Sequence, residues 1–222
     1  MVNGTQISLK NIFLSFGEKQ IFEGLNLLVQ PRDRIALVGR NGSGKSTLLK
    51  VLQGLVIQDE GERILSKGLS VGYMEQDPNL SEFVTLKDYV CSGVLVSDYH
   101  EGEKVAQNLG LDLDMPVNVS SGGERRRAAL TKLIAENHDI MLLDEPTNHL
   151  DVEAIEWLEA ELKGLSKSFI VISHDRKFLS NLTNDTIWVD RGQARRCSIG
   201  FGGFEAWRDK IWHEEDEKIH KL

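Results

Sequence analysis

Leu142-Leu143-Asp144-Glu145-Pro146-Thr147-Asn148-His149-Leu150-Asp151 is the stretch on which the fold turns. The apolar run Ile140 to Leu143 reads as a buried strand that delivers two adjacent carboxylates, Asp144 and Glu145, to its carboxyl end. In a doubly wound α/β sheet that end is where ligands bind. Two acids at the tip of an apolar strand are costly unless something there needs negative charge, such as a metal ion or a proton to be abstracted. Pro146 stops the pairing, and Asn148 to Asp151 leads into a helix. Taken alone, the stretch also fits a strand with an acidic cap.

The partner segment lies well upstream. Ile35-Ala36-Leu37-Val38 is a second apolar strand, followed by Gly39-Arg40-Asn41-Gly42-Ser43-Gly44-Lys45-Ser46-Thr47 and a helical run through Leu48, Leu49, Val51 and Leu52. This is the phosphate-loop pattern in its required setting, strand before and helix after. The glycines let backbone N–H groups face phosphate oxygens, and the helix start adds its positive dipole end. In such loops the lysine, here Lys45, reaches the β- and γ-phosphates, and the hydroxyl, here Ser46, ligates Mg²⁺. By chance the bare pattern arises in roughly one chain of this length in a hundred. Asp144, on a later strand and placed to hold the same ion through water, lowers that chance further.

The 222 residues suit one α/β domain, with or without a small appended subdomain. The 41% apolar and 27% charged fractions are ordinary for a globular protein. No stretch is apolar enough to span a bilayer, and the start of the chain lacks a basic-then-apolar signal pattern. Cys91 and Cys197 have no metal-ligand spacing and read as reduced thiols of a cytoplasmic protein. A net charge of −8 counts against a broad basic surface for nucleic acid. The Arg125-Arg126-Arg127 run reads as a solvated or intersubunit face.

Ile7 to Val29 alternates apolar patches with Gly17 and Gly24, as antiparallel hairpins do. Residues 61–64 and 69–73 suggest two further strands. Thr85 to Leu109 takes helical spacing, the beginning of a small helical subdomain at about 82–137. Ser121 to Asn137 reads as a helix, and Asp151 caps another carrying Ile155, Leu158 and Leu162 on one face. Phe169 to Ser173 and Thr186 to Val189 are the last strands expected.

Ser120-Ser121-Gly122-Gly123-Glu124 opens the helix before the acidic strand, a glycine-rich helix start with a hydroxyl at its cap. With the phosphate loop and the Asp-Glu strand in this order, the chain resembles the ATP-binding-cassette (ABC) ATPases over about residues 5–207. That resemblance implies the α/β fold of a P-loop NTPase ABC nucleotide-binding domain, with an antiparallel β subdomain and a small helical one. It makes Ser120 to Glu124 the signature motif, Gln76 the Q-loop glutamine, Asn148 to Asp151 the D-loop and His174 the switch histidine. It implies that Gly39 to Thr47 hold the phosphates of ATP, with Phe16, or alternatively Phe13, stacked on adenine. Ser46, Gln76 and Asp144 would hold Mg²⁺, Glu145 would act as general base, and Gln76 and His174 would order the attacking water. Ser121, Gly122, Gly123 and Asp151 would serve the nucleotide bound on a neighbouring cassette.

Asn148-His149-Leu150-Asp151, in place of the Ser-Ala-Leu-Asp common in transporter cassettes, resembles the ABC-F branch, and most of all its compact Uup-type members. That branch implies two cassettes on one polypeptide, no membrane partner, and a ribosome or ribosomal RNA contacted through the interdomain linker during translation. The sequence departs from the branch at Ser120, where leucine is usual; it lacks the long inserted helical arm and carries one cassette. Residues 1–206 are expected to form the cassette and 207–222 the start of the linker, with apolar positions Trp207, Ile211, Ile219 and Leu222. The expectation is a first-cassette fragment; a native protein ending in a polar helix is the alternative, in which two copies would pair. Competing functions are the energy-coupling subunit of an ABC transporter and a nucleotide-gated binding switch.

Overall fold

The computed structural model describes residues 4–219, so Leu222, one of the linker positions named above, lies outside the described residues. Strands β1 (Ile7–Phe16) and β2 (Lys19–Val29) form an antiparallel hairpin. A later strand, Glu60–Leu65, pairs with the other edge of β1 to complete a three-stranded sheet. It is β4 in chain order, after β3 (Arg34–Gly39). The remaining strands are β5 (Val71–Tyr73), β6 (Ile140–Asp144), β7 (Ser168–Ile172), β8 (Asp185–Asp190) and β9 (Gln193–Cys197). With β3 they make a six-stranded sheet ordered β5-β6-β7-β3-β8-β9, parallel except for β9.

β3, β6 and β7 are near-continuously apolar because both faces of the large sheet are covered. On one face Ile35, Leu37, Leu142 and Ile170 pack with the antiparallel sheet and with α1 (Lys45–Gln53). A nine-residue helix is too short to hold itself in water. Its Leu48, Leu49, Val51 and Leu52 are fully buried, each contributing roughly 1.5–3 kcal/mol. On the other face Ala36, Met141, Leu143 and Val171 meet α4 (Gly122–Ala135), α5 (Val152–Gly164) and α6 (Arg176–Leu182).

The helical subdomain consists of α2 (Leu86–Cys91), α3 (Tyr99–Asn108) and α4 around Leu86, Val90, Ala106 and Ala128. Thr85 caps α2 in a reciprocal box with Asp88. The final helix, α7 (Phe201–Ile219), starts six residues before the expected Trp207. Its first turns seat Phe204, Trp207 and Trp212 around Trp188 of β8, with ring centroids 5.7–6.4 Å away. That packing overrides the helix-weakening pair Gly202-Gly203. β9 and α6 were not expected from the sequence. Both cysteines are buried and free. Among the described residues, no helix is long and apolar enough to cross a membrane.

Candidate phosphate-binding site

The phosphate loop leaves the carboxyl end of β3 and turns directly into α1. Gly39 must be glycine: a Cβ there would lie 2.5 Å from the Val189 carbonyl oxygen and 2.6 Å from Ser43 Oγ. Gly44, the N-cap, has φ 96°, in the left-handed region that an L side chain resists. Lys45 folds back over the loop, its Nζ donating to the carbonyls of Gly39 (2.9 Å) and Arg40 (3.1 Å). Burial lowers the Lys45 pKa, opposed by the facing charges of Glu145 and Asp144.

Asp144 closes β6 and is 2% exposed. Burial raises its pKa, opposed by the Ser46 hydroxyl, by Lys50 and Lys45, and by the Tyr73 hydroxyl. Its Oδ2 is buried with no hydrogen-bond partner among the described residues. An anionic oxygen of this kind beside the Ser46 hydroxyl is a donor set that suits a hard cation such as Mg²⁺. The residues present therefore fit the ion.

Glu145 follows in the left-handed region, φ 54°, a conformation that costs on the order of 1–3 kcal/mol and persists only where neighbours impose it. Its N–H donates to the Ile172 carbonyl at 2.9 Å, and its Oε2 accepts the His174 N–H at 3.2 Å. The His174 imidazole Nε2 lies 3.3 Å from Oε1. Burial raises the Glu145 pKa, and His174 opposes the shift.

These groups share one cavity of about 500 Å³ whose wall includes Asn41, Gly42, Gly44, Lys45, Ser46, Thr47, Gln76, Asp144, Glu145 and His174. Phe16, half exposed at the end of β1, stands at its mouth; Phe13 does not line it. Lys19 and Ile21 also line it, which the motif reading missed. The signal was the hairpin register, which sets Lys19 directly across from Phe16.

Three sequence-named loop positions do not line this cavity. Gly39 and Arg40 line a neighbouring cavity of about 510 Å³, with Trp188, Phe204, Arg208 and Trp212. Ser43 Oγ is buried without a hydrogen-bond partner among the described residues. Ser121, Gly122, Gly123 and Asp151 are also away from the Lys45 cavity. Ser121 caps α4, its hydroxyl accepting the Glu124 N–H at 3.3 Å while Glu124 accepts the Ser121 N–H at 2.7 Å. A Cβ on Gly122 would meet nothing within 4 Å, and one on Gly123 only ordinary contact with His149 and Arg127. Asp151 caps α5 by accepting the Ala154 N–H at 2.9 Å.

The arginine run, expected as a solvated or intersubunit face, is half-buried in this chain rather than fully solvated. Arg125 donates to Ser120 Oγ and the Val117 carbonyl, Arg126 to the Gln76 carbonyl and Arg127 to the His149 carbonyl. Arg126 and Arg127 thus tie α4 to the loops of Gln76 and His149, while Arg125 ties it to residues 117–120 just before it.

The model of the family described as ABC transporter matches residues 22–148. The ATP-binding protein Uup of Caulobacter vibrioides is 43% identical over 217 residues, which cover 97% of this chain and 35% of that protein. Its namesake in Escherichia coli is 34% identical over 230 residues, covering 84% of this chain and 36% of that protein. The energy-dependent translational throttle protein EttA of Mycobacterium tuberculosis is 33% identical over 258 residues, covering 96% and 46%. The chain thus spans about a third to a half of the length of these relatives. The ATP-binding subunit of an ABC transporter has the same fold, with TM-score 0.78, 18% identity, and 87% of this chain and 90% of that one covered. So does the ATP-binding cassette MJ0796, solved as a dimer with ADP and Pi, at TM-score 0.73 and 24% identity, covering 87% and 98%. The chain belongs to the ATP-binding-cassette (ABC) family, as a cassette whose sequence similarity runs to the Uup and EttA proteins of the ABC-F branch.

Proposed function

We propose that this chain binds ATP with Mg²⁺ in the Lys45 cavity and hydrolyses it when closed against a second cassette, as part of a cytoplasmic ABC-F protein acting on the ribosome. One observation carries the catalytic reading. A buried and a half-buried carboxylate, both of raised pKa and the first with an oxygen unpartnered among the described residues, face a lysine and a hydroxyl at a helix start within one cavity. A base poised by burial and a cation ligand beside it are what phosphoryl transfer to water requires.

Phe16 would stack on the adenine, and the loop amides with Lys45 would take the phosphate charge. Lys45 would exchange its two carbonyl partners for phosphate oxygens, and Asn41 and Thr47 would complete the cradle. Ser46, Asp144 and Gln76 would hold Mg²⁺, which would supply neutralisation of the phosphate charge. Glu145 would take a proton from water as the water oxygen bonds to the γ-phosphorus and the bond to the bridging oxygen breaks, leaving ADP and phosphate. His174, three-quarters exposed beside Glu145, is free to turn toward the γ-phosphate. Ser121, Gly122, Gly123 and Asp151, away from this cavity and on open surface, would cover the nucleotide of the partner cassette. The EttA relative supports the ribosomal part of the reading by its name alone.

Phosphate release and calorimetry on the purified chain test the reading. Mg²⁺-dependent ATP binding is expected, with turnover that rises with protein concentration as copies pair. Glu145→Gln should keep ATP affinity and lose on the order of 10²–10⁴-fold in turnover, the usual worth of a general base. Brisk hydrolysis that is independent of protein concentration would overturn the shared site.

A further inference from the structure

Thr147 and Ser173 have no part in the proposed hydrolysis, yet their side chains join the two loops that carry Glu145 and His174. The β6–β7 ladder ends at the pair Asp144 and Ile172. Just beyond it, the Glu145 N–H to Ile172 carbonyl bond ties the two loops through the main chain. Farther out, Thr147 Oγ1 and Ser173 Oγ lie 2.9 Å apart, half-buried. Ser173 Oγ also accepts the Asp175 N–H at 3.0 Å, and Asp175 in turn caps α6. On the other side, Thr147 opens the D-loop: its carbonyl accepts the Leu150 N–H at 3.3 Å. The next residue but one, His149, is itself left-handed (φ 65°) and gives its carbonyl to Arg127 of the signature helix at 3.1 Å.

We infer that the Thr147–Ser173 hydroxyl pair is a positioning device: it holds Glu145 and His174 in register and links that register to the D-loop. A left-handed glutamate relaxes unless the surrounding structure over-determines it. Two main-chain bonds, the Glu145 N–H to the Ile172 carbonyl and the Asn148 N–H to the Glu145 carbonyl, hold the residue's backbone but not the histidine loop beyond Ile172. The hydroxyl pair closes the ring of contacts by fixing that loop. Because Thr147 lies between Glu145 and the Asn148–Asp151 surface, a cassette seated on that surface would bear on the base through this bond. The inference rests on the ATPase reading.

The test removes the hydroxyls without changing shape much: Thr147→Val, Ser173→Ala and the double variant, with Thr147→Ser and Ser173→Thr as hydroxyl-keeping controls. Two readouts are taken, the kcat and KM of MgATP hydrolysis and amide hydrogen exchange of the chain without nucleotide. Each removal should lower kcat by on the order of ten- to a hundredfold, the penalty of a misplaced reacting group, with KM held within about twofold. The double variant should be no worse than the worse single one, and both controls should keep wild-type rates. Exchange should quicken at residues 145–149 and 173–175 while strands β6 and β7 stay protected. Wild-type kcat and exchange in the variants would overturn the inference. Additive losses, or losses matched by a rise in KM and general loosening of the strands, would do so too. Should the wild-type chain show no turnover at any concentration, the ATPase reading fails, and exchange still decides for or against the pair.

Discussion

Replacing Arg196 with methionine should loosen the joint between the two sheets and, through it, the nucleotide cavity. Arg196 sits on β9 and makes a two-pronged bond to Asp33, at 2.8 and 2.9 Å. It also reaches Asp185 at 3.2 Å and the Leu28 carbonyl at 3.1 Å. Asp33 in turn accepts the Gln30 N–H at 2.7 Å, so one guanidinium gathers the end of β2, the start of β3 and the start of β8. Hydrogen bonds to Asp33 raise the Arg196 pKa, and the side chains of Arg196, Asp33 and Asp185 are only 26%, 9% and 18% exposed. Solvent therefore screens the triad little, and removing its cation strands two carboxylates. Breaking such a buried pair costs about 3–5 kcal/mol, against a total stability of about 5–15 kcal/mol. Urea unfolding at neutral pH, followed by tryptophan fluorescence, measures it as a fall in midpoint at constant slope. Asp33→Asn and Asp185→Asn added to Arg196→Met should recover much of the loss, since no charge is then left unpaired. Phe16 and Ile21 belong to one sheet and the phosphate loop to the other, so Arg196→Met should also weaken ATP binding. A loss below about 1 kcal/mol, the worth of an exposed ion pair, would refute the reasoning.

Gly39→Ala pushes a methyl into the Val189 carbonyl and should destabilise the fold by about 1–3 kcal/mol and impair ATP binding, read by thermal melting and calorimetry. Arg40→Ala should leave ATP affinity within about twofold, because Arg40 lines the neighbouring cavity, whereas Lys45→Ala should lose at least about tenfold; equal effects would contradict that placement. Asp139 joins β6 to the start of β5 through the Ser70 N–H and hydroxyl, which hold its pKa below the usual carboxylate value. Its contribution is therefore complete above about pH 4 and is lost as pH falls through the depressed value. Asp139→Asn should flatten that part of the acid limb of a melting-temperature profile.

The phosphate loop and the Asp-Glu strand were legible because each packs its whole chemistry into a few consecutive residues flanked by apolar runs. Even Asp151 as a cap and the helical break at Thr85 could be read locally. Partners distant in sequence could not. Arg126 bonds a carbonyl fifty residues upstream, and nothing in three consecutive arginines announces it. β9, Gln-Ala-Arg-Arg-Cys, is a short, mostly polar edge strand whose pattern is set by Trp188 across from Arg195 and by the Asp33 triad rather than by its own hydrophobicity. α6 has seven residues, too few for a helical period to stand out. The choice between Phe16 and Phe13 at the cavity needed the bulged register of the hairpin, where pairing shifts between Leu9 and Ser15.

Gly122 has a consequence for how tolerance to substitution is measured in such a chain. Nothing among the described residues occupies the space its missing Cβ would fill. A survey of variants scored by folding alone would therefore mark Gly122 as freely replaceable, while marking Gly39 as untouchable. In the proposed closed pair Gly122 becomes as constrained as Gly39, because the molecule pressing against it is the other cassette's nucleotide. The reason for that glycine is then written in a neighbour, and only a measurement that includes the neighbour can read it.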